Sequence, residues 1–248
     1  MSGFMIKIGI TEAGDAGLDV SWANKMQSVS AAIIITKSIT PLCSEKLIEH
    51  KDKCVLHATI TGYGGTVLEP NVPCWREELS RIKALTNEGF PLEQVTVRVD
   101  PIIPTAKGIK TAHEVLSEAA LIGFRRFRVS IIDMYPHVRE RFRSANLPLP
   151  YGNSFSPPQR MVDDVDTMLA VFRSTYPFVS VESCAEKLTH ADQVGCVSGK
   201  DLDILGIFHD DLDNSGYQRS GCLCCSCKTE LLSHKCRCPN GCLYCYWK

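Results

Sequence analysis

The chain has 248 residues, 44% of them hydrophobic and 22% charged, with a formal net charge of −1. Those figures describe an ordinary globular protein able to bury a sizeable core without covalent staples. They exclude a disordered chain and a strongly basic nucleic-acid coat, and no apolar run reaches the ~18–20 residues of a membrane helix.

The elements come in alternation. Short runs rich in β-branched residues at 6–10, 32–36, 55–61, 95–99, 127–132 and 178–182 predict strands. Amphipathic stretches at 22–29, 44–50, 75–86, 111–121 and 158–175 predict helices. Ser156-Pro157-Pro158 marks a helix start, and Gly123 a C-cap. Strands and helices at this pitch imply βαβ units and a parallel sheet, and about six units imply a partial TIM-like (βα)6 barrel. Functional groups of such a barrel gather where strands end. The expected organisation is a partial α/β barrel over 1–205 and a cysteine-rich segment over 206–248, irregular after Phe208 and packed on the barrel as one functional unit.

The strand exits carry the chemistry. The 55–61 strand runs through Thr61 into Gly62, Tyr63, Gly64 and Gly65. Glycines there permit positive φ and close approach to a ligand, although a plain tight turn reads the same way. Arg98 and Asp100 share parity on the next strand, so their side chains share a face. They form either a structural ion pair or a polar interior that touches a ligand. Ser130 and Asp133 follow at the next exit, and Glu182, Ser183, Cys184 and Glu186 at the last. A basic stretch, Arg125, Arg126, Arg128, Arg139, Arg141 and Arg143, interleaves Phe127, Tyr135 and Phe142. Such a mixture can hold phosphates and bases, or simply flank a solvated helix and strand.

Thirteen cysteines are the compositional outlier, eight of them between Cys222 and Cys245. No basic region followed by an apolar stretch opens the chain, so a cytoplasmic setting is expected, where dense cysteine reads as metal binding. Cys43, Cys54 and Cys74 are expected to be buried small hydrophobes. Cys238-x3-Cys242-x2-Cys245, with Tyr244 before the third cysteine, is a tight thiolate loop. Three thiolates can hold a [4Fe–4S] cluster and leave its fourth iron open. A zinc site normally closes with four ligands; Cys224-x2-Cys227 paired with Cys242-x2-Cys245 would supply them. That alternative describes a zinc-stabilised nucleic-acid or protein binding module without catalysis.

The cysteine loop resembles the signature of radical SAM enzymes, although in most of them it follows the first strand. His57–Pro73, the stretch from Arg98 to Ile103, Glu182-Ser183-Cys184 and on to Glu186, Arg219 with Cys222-x-Cys224, and the terminal cysteines together resemble the DUF1848 proteins. The Leu68–Pro73 and Arg98–Ile102 stretches are also similar to spore photoproduct lyases. The resemblance implies a cluster on Cys238, Cys242 and Cys245 that binds S-adenosylmethionine, with Tyr244 beside the adenine. It implies Thr61, Gly62, Tyr63, Gly64 and Ser130 as further cofactor contacts. Arg98, Asp100, Asp133 and Glu182 would hold SAM and substrate, and Cys184 would be a hydrogen-atom donor unless it is a ligand. Cys184, Cys196, Cys222 and Cys224 are the implied ligands of a second iron–sulfur cluster. The activity implied is hydrogen-atom abstraction of the lyase or isomerase kind, driven by a flavodoxin- or ferredoxin-type reductant. The lyase-like stretches imply a thymine or another nucleobase in DNA as substrate, in repair, rearrangement or hypermodification.

Overall fold

The computed structural model describes residues 6–184, 186–208, 228–232 and 238–247. The fold is mixed α/β. Its strands are β1 (Ile8–Ile10), β2 (Ala31–Thr36), β3 (Cys54–Thr59), β4 (Val95–Ile102), β5 (Arg126–Ile131), β6 (Ser180–Cys184), β7 (Asp192–Val194) and β8 (Lys228–Glu230). They follow the order β7-β6-β5-β4-β3-β2-β1-β8 in one sheet. The β1–β2, β1–β8, β2–β3 and β5–β6 registers are all parallel. β3 is buried at every position and β2 at all but one, as expected of strands covered on both faces.

The helices are α1 (Pro41–Glu49), α2 (Trp75–Asn87), α3 (Ala106–Ile122), α4 (Pro136–Ser144), α5 (Gln159–Thr175) and α6 (Gly199–Ile204). Their ends follow local chemistry. The Thr105 hydroxyl accepts from Gly108 N, and Gly123 stops α3 at φ 121°. Ser198 and Asp201 form a reciprocal capping box on α6.

Several sequence expectations needed adjustment. The 22–29 stretch is a 3-10 helix, Val20–Ser28, rather than an α-helix. The helix expected at 111–121 begins earlier, at Ala106, because Thr105 caps it there. α4 was masked by its charge: only Val138 and Phe142 are buried on it. The segment expected to be irregular after Phe208 contains β8, which extends the sheet beside β1. Cys43 and Cys54 are buried as expected, but Cys74 is exposed, just ahead of α2.

Two compact units divide the chain. The first comprises Met1–Ala58, Ser80–Thr96 and Val194–Cys236. Its core gathers Ile8, Ile10, Ala31, Ile33, Val55 and Leu202. The second comprises Thr59–Leu79, Val97–Gln193 and Arg237–Lys248. Its cluster of Tyr63, Ile103, Met134, Val138, Phe142 and Tyr244 joins the strand exits to the terminal cysteine loop. No helix among the described residues is long and apolar enough to cross a membrane.

Candidate functional site

Polar side chains line one face of β4, β5 and β6 in the second unit. Parity puts Arg98 and Asp100 on that face of β4, and Asp100 is held from both sides. Arg98 Nη2 pairs with its Oδ2, and Ser130 Oγ of β5 donates to its Oδ1. On the neighbouring pair of strands the register sets Arg128 against Glu182. Arg128 Nη2 and Nε lie 2.5 and 3.2 Å from Glu182 Oε2, and both side chains are almost wholly buried. Glu182 Oε1 is buried with no hydrogen-bond partner. Buried carboxylate oxygens are normally satisfied, which sets this one apart. Cys184, half-buried, ends the same strand with the same parity.

Beyond the strand ends, Glu186 folds back. Its Oε1 accepts from Ile131 N at 2.9 Å, and Ser183 Oγ donates to its carbonyl. Its Oε2 is buried with no hydrogen-bond partner. Burial pushes the Glu186 carboxyl up to about 8; the Ile131 hydrogen bond opposes the shift, and the charges of Asp100 and Asp133 add to it. Asp133 itself is exposed at the exit of β5. An acid raised this far can hold a proton at neutral pH and donate a hydrogen bond.

The Thr61–Gly64 exit is tightly built. Gly62 has φ 86°, and a Cβ there would lie 2.3 Å from Thr111 Cγ2. At Gly64 a Cβ would meet the Pro73 carbonyl oxygen at 1.9 Å. Both positions therefore require glycine. Thr61 Oγ1 donates to Glu69 Oε2 at 2.7 Å, and the Tyr244 hydroxyl donates to Glu69 Oε1. Tyr63 and Tyr244 are buried together, and burial raises both phenols, Tyr63 to about 12.

The cysteine loop is pinned along its backbone. Leu243 N donates to Leu68 O at 3.0 Å, and Asn71 Nδ2 to Pro239 O at 2.8 Å. Arg141 donates to the carbonyls of Cys245 at 2.7 Å and Trp247 at 2.8 Å. Gly241, at φ 63°, turns the chain between the first two cysteines. Cys238, Cys242 and Cys245 are all half-buried. Among the described residues, no three His, Cys, Asp or Glu side chains stand as a ready metal-binding group. The donor set nevertheless fits an iron–sulfur cluster in kind: three soft thiols on one short loop, none sealed from solvent.

The expected residues therefore divide. Arg98, Asp100, Ser130, Asp133, Glu182 and Cys184 lie at the ends of β4, β5 and β6, and Thr61–Gly64 and Tyr244 share one cluster with Glu69. Cys196 belongs to the first unit, packed against its core and hydrogen-bonded to Glu12, whose carboxyl burial raises to about 7. Cys222 and Cys224 lie outside the described residues. The basic run splits: Arg126 and Arg128 are buried, and Arg125 stacks 4.0 Å over the Phe178 ring. Sequence reasoning passed over Glu69 as a site residue, although its motif was noticed. It also passed over the buried His57–Asp201 pair of the first unit, 3.1 Å apart and 144 residues distant in sequence.

A family model described as a domain of unknown function, DUF1848, matches residues 19–247. The chain belongs to that family. No curated protein matches this DUF1848 member.

Proposed function

We propose that this DUF1848 protein is a radical SAM enzyme built on a partial barrel, with a [4Fe–4S] cluster on Cys238, Cys242 and Cys245. The observation that supports this most is the attachment of the thiol loop. Tyr244 and Thr61 share Glu69, so the loop lies against the end of β3, one of the strand exits where a cofactor of such a barrel would bind. A bound cluster would supply one-electron cleavage of SAM to a 5′-deoxyadenosyl radical.

The residues of this chain do the rest. Gly62 and Gly64 let this exit pack closely against Thr111 and Pro73, which fixes its backbone for the cofactor, and the packed Tyr63 and Tyr244 exclude water from that side. Arg98, partly exposed and aligned by Asp100, presents its guanidinium to anionic groups of SAM or substrate, while the buried Arg128 fixes Glu182. Glu182 Oε1 accepts from a substrate donor. Glu186 holds a proton at Oε2 and offers it to a substrate carbonyl or ring nitrogen. Cys184, at the end of β6, would return a hydrogen atom in this reading. A pyrimidine base in DNA has both the carbonyl and the N–H group this face would read, so we take a nucleobase as the substrate.

Anaerobic reconstitution tests the reading. The brown protein should hold ~4 irons per chain and, with dithionite and SAM, release 5′-deoxyadenosine. Cys242→Ala should lose both. A colourless protein carrying zinc on the same cysteines would overturn the proposal.

A further inference from the structure

Resting on the radical SAM reading, we propose that α4 and the segment after Cys245 form the docking surface for an acidic one-electron donor protein of the flavodoxin type. α4 carries Arg139, Arg141 and Arg143 against Glu140 alone, so its net charge is +2 in a chain of net −1. The three guanidiniums contact neutral acceptors. Arg139 donates to Asn153 O, Arg143 to Asn153 Oδ1, and Arg141 to the carbonyls of Cys245 and Trp247. None is neutralised by a carboxylate among the described residues. Arginines held in place but left with their charge form a surface prepared for anions.

The surroundings match. An open depression of about 480 Å³ lies among His137, Glu140, Arg141 and Leu243. Beside it Tyr246 and Trp247, 45% and 38% exposed, stack with ring centroids 5.4 Å apart. Exposed aromatics next to arginines are the side chains that anchor protein interfaces. Arg141 ties this surface to the backbone of Cys245, so a partner seated here would lie against the thiol loop where the electron must enter. α4 is nine residues long, roughly 13 Å, and the remainder of the chain is net negative. That is a compact patch for carboxylates of a small protein. A single-stranded nucleic acid calls for a longer basic track.

The transfer balances simply. The donor's anionic flavin hydroquinone becomes the neutral semiquinone by losing one electron, and the cluster-loaded protein gains that electron. No proton is exchanged.

The test compares wild type with the double variant Arg139→Glu/Arg143→Glu, in cluster-loaded protein, using a purified flavodoxin. Binding is read by fluorescence titration at low and high salt, and 5′-deoxyadenosine formation is driven by reduced flavodoxin or by dithionite. We expect flavodoxin binding and flavodoxin-driven turnover to fall about tenfold or more in the variant, and in wild type as salt rises. Dithionite-driven turnover should be unchanged, which also shows that the variant is folded. Arg139→Gln/Arg143→Gln should lie between the two. Equal flavodoxin binding by variant and wild type overturns the docking surface, as does a wild type that binds no flavodoxin but holds a single-stranded oligonucleotide that the Arg139→Glu/Arg143→Glu variant releases. Absence of dithionite-driven cleavage in wild type would remove the radical SAM reading itself, and the docking reading with it.

Discussion

Replacing Arg128 with methionine isolates the energetic centre of the β5–β6 face. The side chains of Arg128 and Glu182 are 2% and 4% exposed, with the nearest N and O atoms 2.5 Å apart. Glu182 Oε1 has no hydrogen-bond partner, so Oε2 and its arginine carry the whole compensation for burying the charge. Arg128→Met keeps the volume of the stem and deletes every donor. A carboxylate stranded in this way costs ~3–5 kcal/mol. For a protein of this size that corresponds to a melting temperature lower by about 6–20 °C. Thermal and urea unfolding of wild type, Arg128→Met, Glu182→Leu and the double variant would close the cycle. The double variant should recover to within about 1 kcal/mol of wild type, because an apolar pair of similar volume replaces both charges. A single-variant loss below about 1 kcal/mol would mean that the pair is not desolvated. A fully active double variant would show it to be purely structural.

Four further outcomes follow from the geometry. Tyr244→Phe removes a hydroxyl from buried Glu69 and should cost ~1.5–3 kcal/mol in urea unfolding, with poorer iron retention after reconstitution. Gly62→Ala should destabilise by ~1–3 kcal/mol, since it combines a positive φ with a clash against Thr111; an unchanged melting curve would contradict that packing. His57→Ala leaves Asp201 buried without its ring partner and should cost ~3–5 kcal/mol, far more than removal of an exposed histidine. For Glu186 the folded pKa of about 8 lies above the ordinary 4.5, so between those values the folded state binds the extra proton. Wild-type stability should therefore fall relative to Glu186→Gln as pH rises through that window, and parallel pH–stability curves would refute the shift.

The sequence carried the main strands and helices because their signals are local. The β-branched run of β2 and the Thr105 and Gly123 caps of α3 each report on neighbouring residues. α4 and β8 were harder. The arginines of α4 swamp its two-residue apolar stripe, and β8, only three residues long, is a strand by virtue of β1 beside it. The site divides the same way. Arg98 and Asp100 could be paired from their parity alone, and Glu182 could be placed at a strand exit. That Arg128 would face Glu182 depends on register between strands 54 residues apart. Glu69 was invisible as a site residue because its partners, Thr61 and Tyr244, meet it only once the chain has folded.

Glu69 has one carboxylate and serves two masters, a threonine hydroxyl on one oxygen and a tyrosine hydroxyl on the other. Whatever removes that carboxylate takes a contact from the strand exit and from the sulfur-bearing loop at the same moment. Across relatives, an exchange that removes the carboxylate at position 69 should accordingly bring changes at 61 and 244 with it, since it takes this acceptor from both hydroxyls, whereas an exchange at 61 or 244 alone leaves the other bond in place.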